Sequence, residues 1–112
     1  MEDSLFTKII NRDIPADIIY EDELSLAFRD INPQAPFHAL LIPKSQITKL
    51  SESTVDDKAL MGHLLLTAPK IAKQHGYKHF RLVINNGEDA GQTVFHLHVH
   101  ILAGRSFTWP PG

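Results

Sequence analysis

Apolar residues along this chain switch between helical spacing and strand alternation, and the switches mark out its elements. Leu5, Phe6, Ile9 and Ile10 recur at helical spacing after Ser4, whose hydroxyl suits an N-cap. A short helix is therefore expected through Asn11, with Pro15 beyond its end. The period then falls to that of a strand. Ile18-Ile19-Tyr20 and Leu24-Ser25-Leu26-Ala27-Phe28 predict two short strands joined by a tight turn at Glu21-Asp22-Glu23. Asp30 to Pro36 contains Pro33 and Pro36 and must be a loop, since proline fits neither a helix interior nor a central strand. Phe37 to Ile42 resumes as a strand that Pro43 ends.

Helical spacing returns after the caps offered by Ser51 to Thr54, predicting a long helix to about Gln74, with Gly76 as its stop. Leu60, Leu64, Ala68 and Ile71 share one face. Met61, Leu65 and Leu66 widen the apolar surface beyond one core contact, so this flank suits the interface of a homodimer. Pro69 predicts a kink or break about a turn before the helix ends. His79 to Asn85 is expected as a strand, Asn86 to Gln92 as a glycine-containing loop, and Val94 to Ala103 as the last and longest strand. The order predicts a single α+β domain over residues 1–112, with a mainly antiparallel five-stranded sheet, one short N-terminal helix and one long helix.

Composition narrows the function. A chain of 112 residues with 43% apolar and 21% charged residues can bury a real core without staples. The formal net charge of -2 gives no electrostatic case for nucleic acid or an anionic membrane surface as partner. The chain has no cysteine, which removes thiolate chemistry and Cys-based zinc sites. The acidic start MEDSLFTKII lacks the basic and apolar regions of a secretory leader, and no apolar run reaches a membrane span, so a cytoplasmic location is expected.

The chemistry concentrates at His96-Leu97-His98-Val99-His100-Ile101-Leu102. In a strand the three imidazoles would share one face over about 13 Å, and Leu97, Val99 and Ile101 the other. Sheet stability does not call for histidine there. A His-rich polar face, a zinc site using histidines two residues apart, and nucleophilic catalysis at phosphorus all remain open on this pattern alone. Asn85-Asn86-Gly87 and Gly91-Gln92-Thr93 just upstream offer glycine-freed N–H groups and a hydroxyl suited to a phosphate, which favours phosphate chemistry.

HLHVHIL resembles the signature of the histidine triad family, His-φ-His-φ-His-φ-φ with φ apolar, at all seven positions. The resemblance extends over Phe6-Thr7-Lys8-Ile9-Ile10, Ile14-Pro15, Ala27-Phe28-Arg29-Asp30-Ile31, Pro33-Gln34-Ala35-Pro36, His38, Ile42-Pro43-Lys44 and Gly91-Gln92. Gly104-Arg105 and Trp109-Pro110-Pro111-Gly112 are similar to the tail of its nucleotide-binding branch, the purine nucleoside phosphoramidases. Ala103, where glycine is usual, and Pro69 depart from the pattern.

The resemblance implies that His98 is the nucleophile, that His96 and His100 orient it and contact the phosphate, and that His38 shares in proton relay. It implies Asp30 on the ribose hydroxyls, although an Asx turn at Asn32-Pro33 would employ the same residue. Phe6, Ile9, Phe28 and Ile31 would wall the base pocket, Asn85, Gln92 and Thr93 would contact the phosphate, and Trp109 would lie near the active site of a partner chain. The activity implied is hydrolysis of the P–N bond of adenosine or guanosine 5′-phosphoramidates, releasing AMP or GMP through a nucleotidyl-histidine, with neither cofactor nor metal. The alternatives are a non-catalytic purine nucleotide sensor or scaffold and a dinucleoside polyphosphate hydrolase. His63, His75 and His79 match no site position and are expected at the surface or at helix ends.

Overall fold

The computed structural model describes residues 3–112. Helix α1 spans Leu5–Ile10, with the Ser4 hydroxyl accepting the Thr7 N–H as its N-cap. Strands β1 (Ile18–Glu21) and β2 (Ser25–Arg29) form a hairpin, followed by β3 (Phe37–Pro43), helix α2 (Lys58–Gln74), β4 (Phe80–Val83) and β5 (Val99–Ala103). The strands make one sheet in the order β1-β2-β3-β5-β4, antiparallel throughout. The expected five-stranded α+β architecture with one short and one long helix is present.

All seven residues of β3 are buried because both faces of the sheet's middle are covered. Phe37, Ala39 and Leu41 pack with Leu64, Ala68, Ile71 and Ala72 of α2 and with Val99 and Ile101 of β5. Leu40 and Ile42 join Leu26 and Phe28 of β2 beneath Phe6 and Ile9 of α1. Strand alternation thus sends one set of side chains to each helix. His38 and His100 fall on the α1 side, in diagonal register, since His38 pairs with Leu102 and Leu40 with His100.

Local details correct the sequence expectations. The last strand begins at Val99, so His96 and His98 precede the ladder. The partner strand runs out at Pro43, which has no N–H to donate. The segment turns instead onto the β3–α2 connection, where Leu97 N–H donates to the Ile47 carbonyl at 2.7 Å. The sides of the alternation survive nonetheless, with Leu97 in the α2 core. Helix α2 continues through Pro69 to Gln74 without a break. Proline removes the N–H that would bond the Leu65 carbonyl, and Leu65 lies on the exposed side of the helix, where water can replace it.

The hairpin turn is organised by one acid within the charged triplet. Asp22 Oδ1 accepts the N–H groups of Leu24 and Ser25, and Oδ2 accepts the Tyr20 hydroxyl and contacts His63 Nε2 at 2.8 Å. Burial acts to raise the Asp22 pKa, but the hydrogen bonds from Tyr20, Leu24 and Ser25 override it and hold the carboxyl far below the usual range. His63 therefore ties α2 to the hairpin, while His75 sits at the C-terminal end of α2 and His79 is exposed.

Candidate active site

The three triad histidines occupy different environments. His96 is 1% exposed, and both its ring nitrogens are taken. Nε2 lies 2.8 Å from the Pro43 carbonyl, an acceptor only, so Nε2 carries the proton. Nδ1 then accepts from the Ser4 hydroxyl at 3.0 Å, with Thr7 Oγ1 at 3.4 Å. The ring packs edge-on to Phe6 and is closed off from solvent, so it cannot make the expected phosphate contact without breaking these bonds. Its service to the site runs through its backbone. The His96 carbonyl receives His98 Nδ1 at 2.7 Å, which puts the His98 proton on Nδ1 and leaves Nε2 as a bare lone pair.

A second chain of bonds sets His38 and His100. The Gln34 N–H donates to His38 Nδ1 at 3.0 Å, so His38 Nε2 carries the proton and donates to His100 Nδ1 at 2.9 Å. The His100 proton is consequently on Nε2. No buried side-chain nitrogen or oxygen among the described residues lacks a hydrogen-bond partner. The unpartnered Nε2 atoms of His98 and His100 must therefore be open to solvent, one as an acceptor and one as a donor. Their rings are 5.0 Å apart.

These two rings form the polar end of a pocket of about 420 Å³. Phe6, Ile9 and Phe28 give it an apolar interior, Phe6 meeting His98 edge-on at 5.0 Å. Ile31, also a lining residue, is 100% exposed and stands as a rim, not a buried wall. Asp30 and Thr93 supply polar edges. Asp30 does make the Asx turn, its Oδ1 accepting the Asn32 N–H at 2.9 Å. Its Oδ2 points to His38 Nε2 at 3.5 Å, and a carboxylate retains further lone pairs for a ligand.

The remaining expected residues are more scattered. Gln92 is buried, with Oε1 accepting the Gly87 N–H and Nε2 donating to the Thr48 and Val94 carbonyls. Both amide protons are committed to the loop, so Gln92 shapes the segment before the histidines and has none left for a phosphate. Asn85 lines a neighbouring cleft on the other side of His100. Trp109 is 83% exposed and lines neither space. Ser4, Thr7 and the Gln34 N–H were not anticipated as site residues. Ser4 had a legible role as a helix cap, but nothing in the local pattern links it to His96, 92 residues away.

The electrostatics agree with neutral rings. Burial lowers the pKa of His38, His96 and His98, in each case against an opposing hydrogen bond or the Asp30 charge. His100 is pushed down to about 4, by burial first and then by its neighbours His98 and His38. All four are uncharged near pH 7, as a nucleophilic imidazole requires. Asp30, His38 and His100 each bring one potential ligand atom within 4.8 Å of the others, a spacing that a cation could use. The tautomers oppose it: a metal on His38 Nε2 would need the proton moved to Nδ1, against the Gln34 N–H.

The HIT domain family matches residues 11–107. The chain is 62% identical to an uncharacterized HIT-like protein of Synechocystis over 99% of its own length and 98% of the relative's. Its fold superposes on a HIT family hydrolase from Legionella pneumophila with a TM-score of 0.95, 46% identity and coverage of 98% and 100% of the two chains. A HIT family hydrolase from Clostridium thermocellum gives 0.92 with 43% identity over 96% of each chain. The chain belongs to the histidine triad family.

Proposed function

We propose that this protein is a hydrolase of purine nucleoside phosphoramidates, using His98 as a covalent nucleophile. The observation that carries the reading is the His98 tautomer: Nδ1–H held on the His96 carbonyl and a free Nε2 opening into a pocket with an apolar interior and a carboxylate edge. The base would lie between Phe6, Ile9 and Phe28, with Ile31 closing over it, and the ribose diol would donate to Asp30. The phosphate would then reach His98, with the His100 Nε2–H and the Thr93 hydroxyl as donors to its oxygens.

His98 Nε2 attacks phosphorus, and the bond to the leaving nitrogen breaks with its electron pair going to that nitrogen, which takes a proton from solvent. Water then attacks the nucleotidyl-histidine, the P–Nε2 bond returns its pair to the ring, and the monophosphate leaves with release of a proton. Covalent catalysis divides one hard displacement into two easier ones. Ser4, through His96, holds the nucleophile, and His38 holds His100. Leu66, 79% exposed on α2, supports a homodimer in which Trp109 of a second chain approaches this site.

His98→Ala should abolish turnover of adenosine 5′-phosphoramidate, and acid-quenched wild-type protein should carry an adenylyl mass increment that maps to His98. Undiminished turnover in the variant would remove His98 from the mechanism. Tight AMP binding with no turnover would favour the sensor, and a higher kcat/KM on diadenosine polyphosphates would favour the polyphosphate hydrolase.

A further inference from the structure

We propose that the cleft on the far side of His100 is a subsite for an anionic leaving group, with Arg81 and Arg105 as its cationic wall. The inference rests on the phosphoramidase reading and extends it to the half of the substrate that the nucleotide pocket does not hold. The cleft encloses about 260 Å³ between the end of β4, the loop before β3 and the C-terminal segment. It shares His100 with the nucleotide pocket and also exposes His38, so a group attached to the reacting phosphorus can extend across His100 into it.

Of the chain's four arginines, the two that line the cleft are the two without a carboxylate partner among the described residues. Arg12, Arg29 and Lys44 each have a carboxylate within 4.0 Å, whereas Arg81 and Arg105 have none among the described residues. No acidic residue lines the cleft. Both guanidinium groups lie over the Phe107 ring, with their carbons 5.3 and 4.3 Å from its centroid. This cation–π contact attracts both guanidinium groups to the ring without using up their N–H donors. Arg105 spends Nε on the Gln34 carbonyl and Nη1 on the Ser106 carbonyl, which anchors it and leaves Nη2. The Arg81 guanidinium makes no hydrogen bond within the described residues, so its whole fork is available. Asn85 and Thr108 add neutral polar groups at the edge.

Two unpaired guanidinium groups in a protein of formal net charge -2 suit a carboxylate or a phosphate monoester, which guanidinium recognises through paired N–H donors. The substrate class is thus a nucleoside phosphoramidate whose amine carries an anion.

The test uses the full chain and matched adenosine 5′-phosphoramidates: alanine against alaninamide, and phosphoethanolamine against ethanolamine. The wild type should prefer the anionic member of at least one pair by about tenfold in kcat/KM, the scale of one charged hydrogen bond. The favoured pair identifies the anion as carboxylate or phosphate. In Arg81→Gln the ratio should fall toward one, and Arg81→Lys, which keeps the charge but loses the fork, should retain part of it. Turnover of the neutral conjugates reports that each variant is folded. No preference in the wild type, or a preference that persists in Arg81→Gln, overturns the subsite. Absence of turnover on all four conjugates refutes the phosphoramidase reading and this inference with it, an outcome distinct from turnover without discrimination.

Discussion

Acidification should destabilise this protein well above the range in which carboxylates titrate, and His100 should account for a measurable part. Its ring titrates near the ordinary value of about 6.5 in the unfolded chain and at about 4 in the fold. Between these values the unfolded state binds more protons than the folded one, so stability rises with pH through the window and is lost as pH falls. With those two values, the loss between pH 7 and pH 5 comes to about 2 kcal/mol from His100 alone. That is a large share of the roughly 5–15 kcal/mol typical of a domain. His38, His96 and His98 shift in the same direction and add to it. The comparison is urea unfolding at pH 7 and pH 5 for the wild type and His100→Asn, whose amide oxygen can replace Nδ1 as acceptor of the His38 proton. The wild type should lose about 2 kcal/mol more than the variant over this interval. Equal losses in the two proteins would refute the claim that His100 is held neutral by burial.

Two further substitutions test the supports of the site. Ser4→Ala removes both the N-cap of α1 and the donor to His96 Nδ1, so it should lower stability by about 1–2 kcal/mol in denaturant melts and reduce kcat. Loss of stability with kcat intact would leave Ser4 as a cap alone. Gly104→Ala places a Cβ 2.8 Å from the Pro36 Cβ at a backbone φ of +96°. A cost of about 2 kcal/mol is expected from the left-handed conformation and the contact, read as a fall in thermal midpoint, and an unchanged midpoint would contradict that packing.

Some of this protein was determined by its sequence alone, because it depends on local chemistry. The Ser4 cap, the proline-bounded loop and the hydrophobic periods specify the helices and most strand positions without knowledge of the partners. The alternation of HLHVHIL assigned Leu97, Val99 and Ile101 to one side and the histidines to the other, and that division holds even where no ladder forms. The end of the ladder was not legible, because it depends on where β3 meets Pro43. Pro69 shows the same limit: whether a missing N–H breaks a helix depends on what faces the orphaned carbonyl, which only the packed structure decides. Tertiary structure also gave the histidines unequal environments. A row of imidazoles is chemically uniform until each ring nitrogen meets its partner. The Pro43 carbonyl and Ser4 close off His96, the His96 carbonyl frees Nε2 of His98, and the Gln34 N–H sets the direction of the His38–His100 pair. Those partners come from segments far apart in the chain, and no local pattern encodes which nitrogen is left bare.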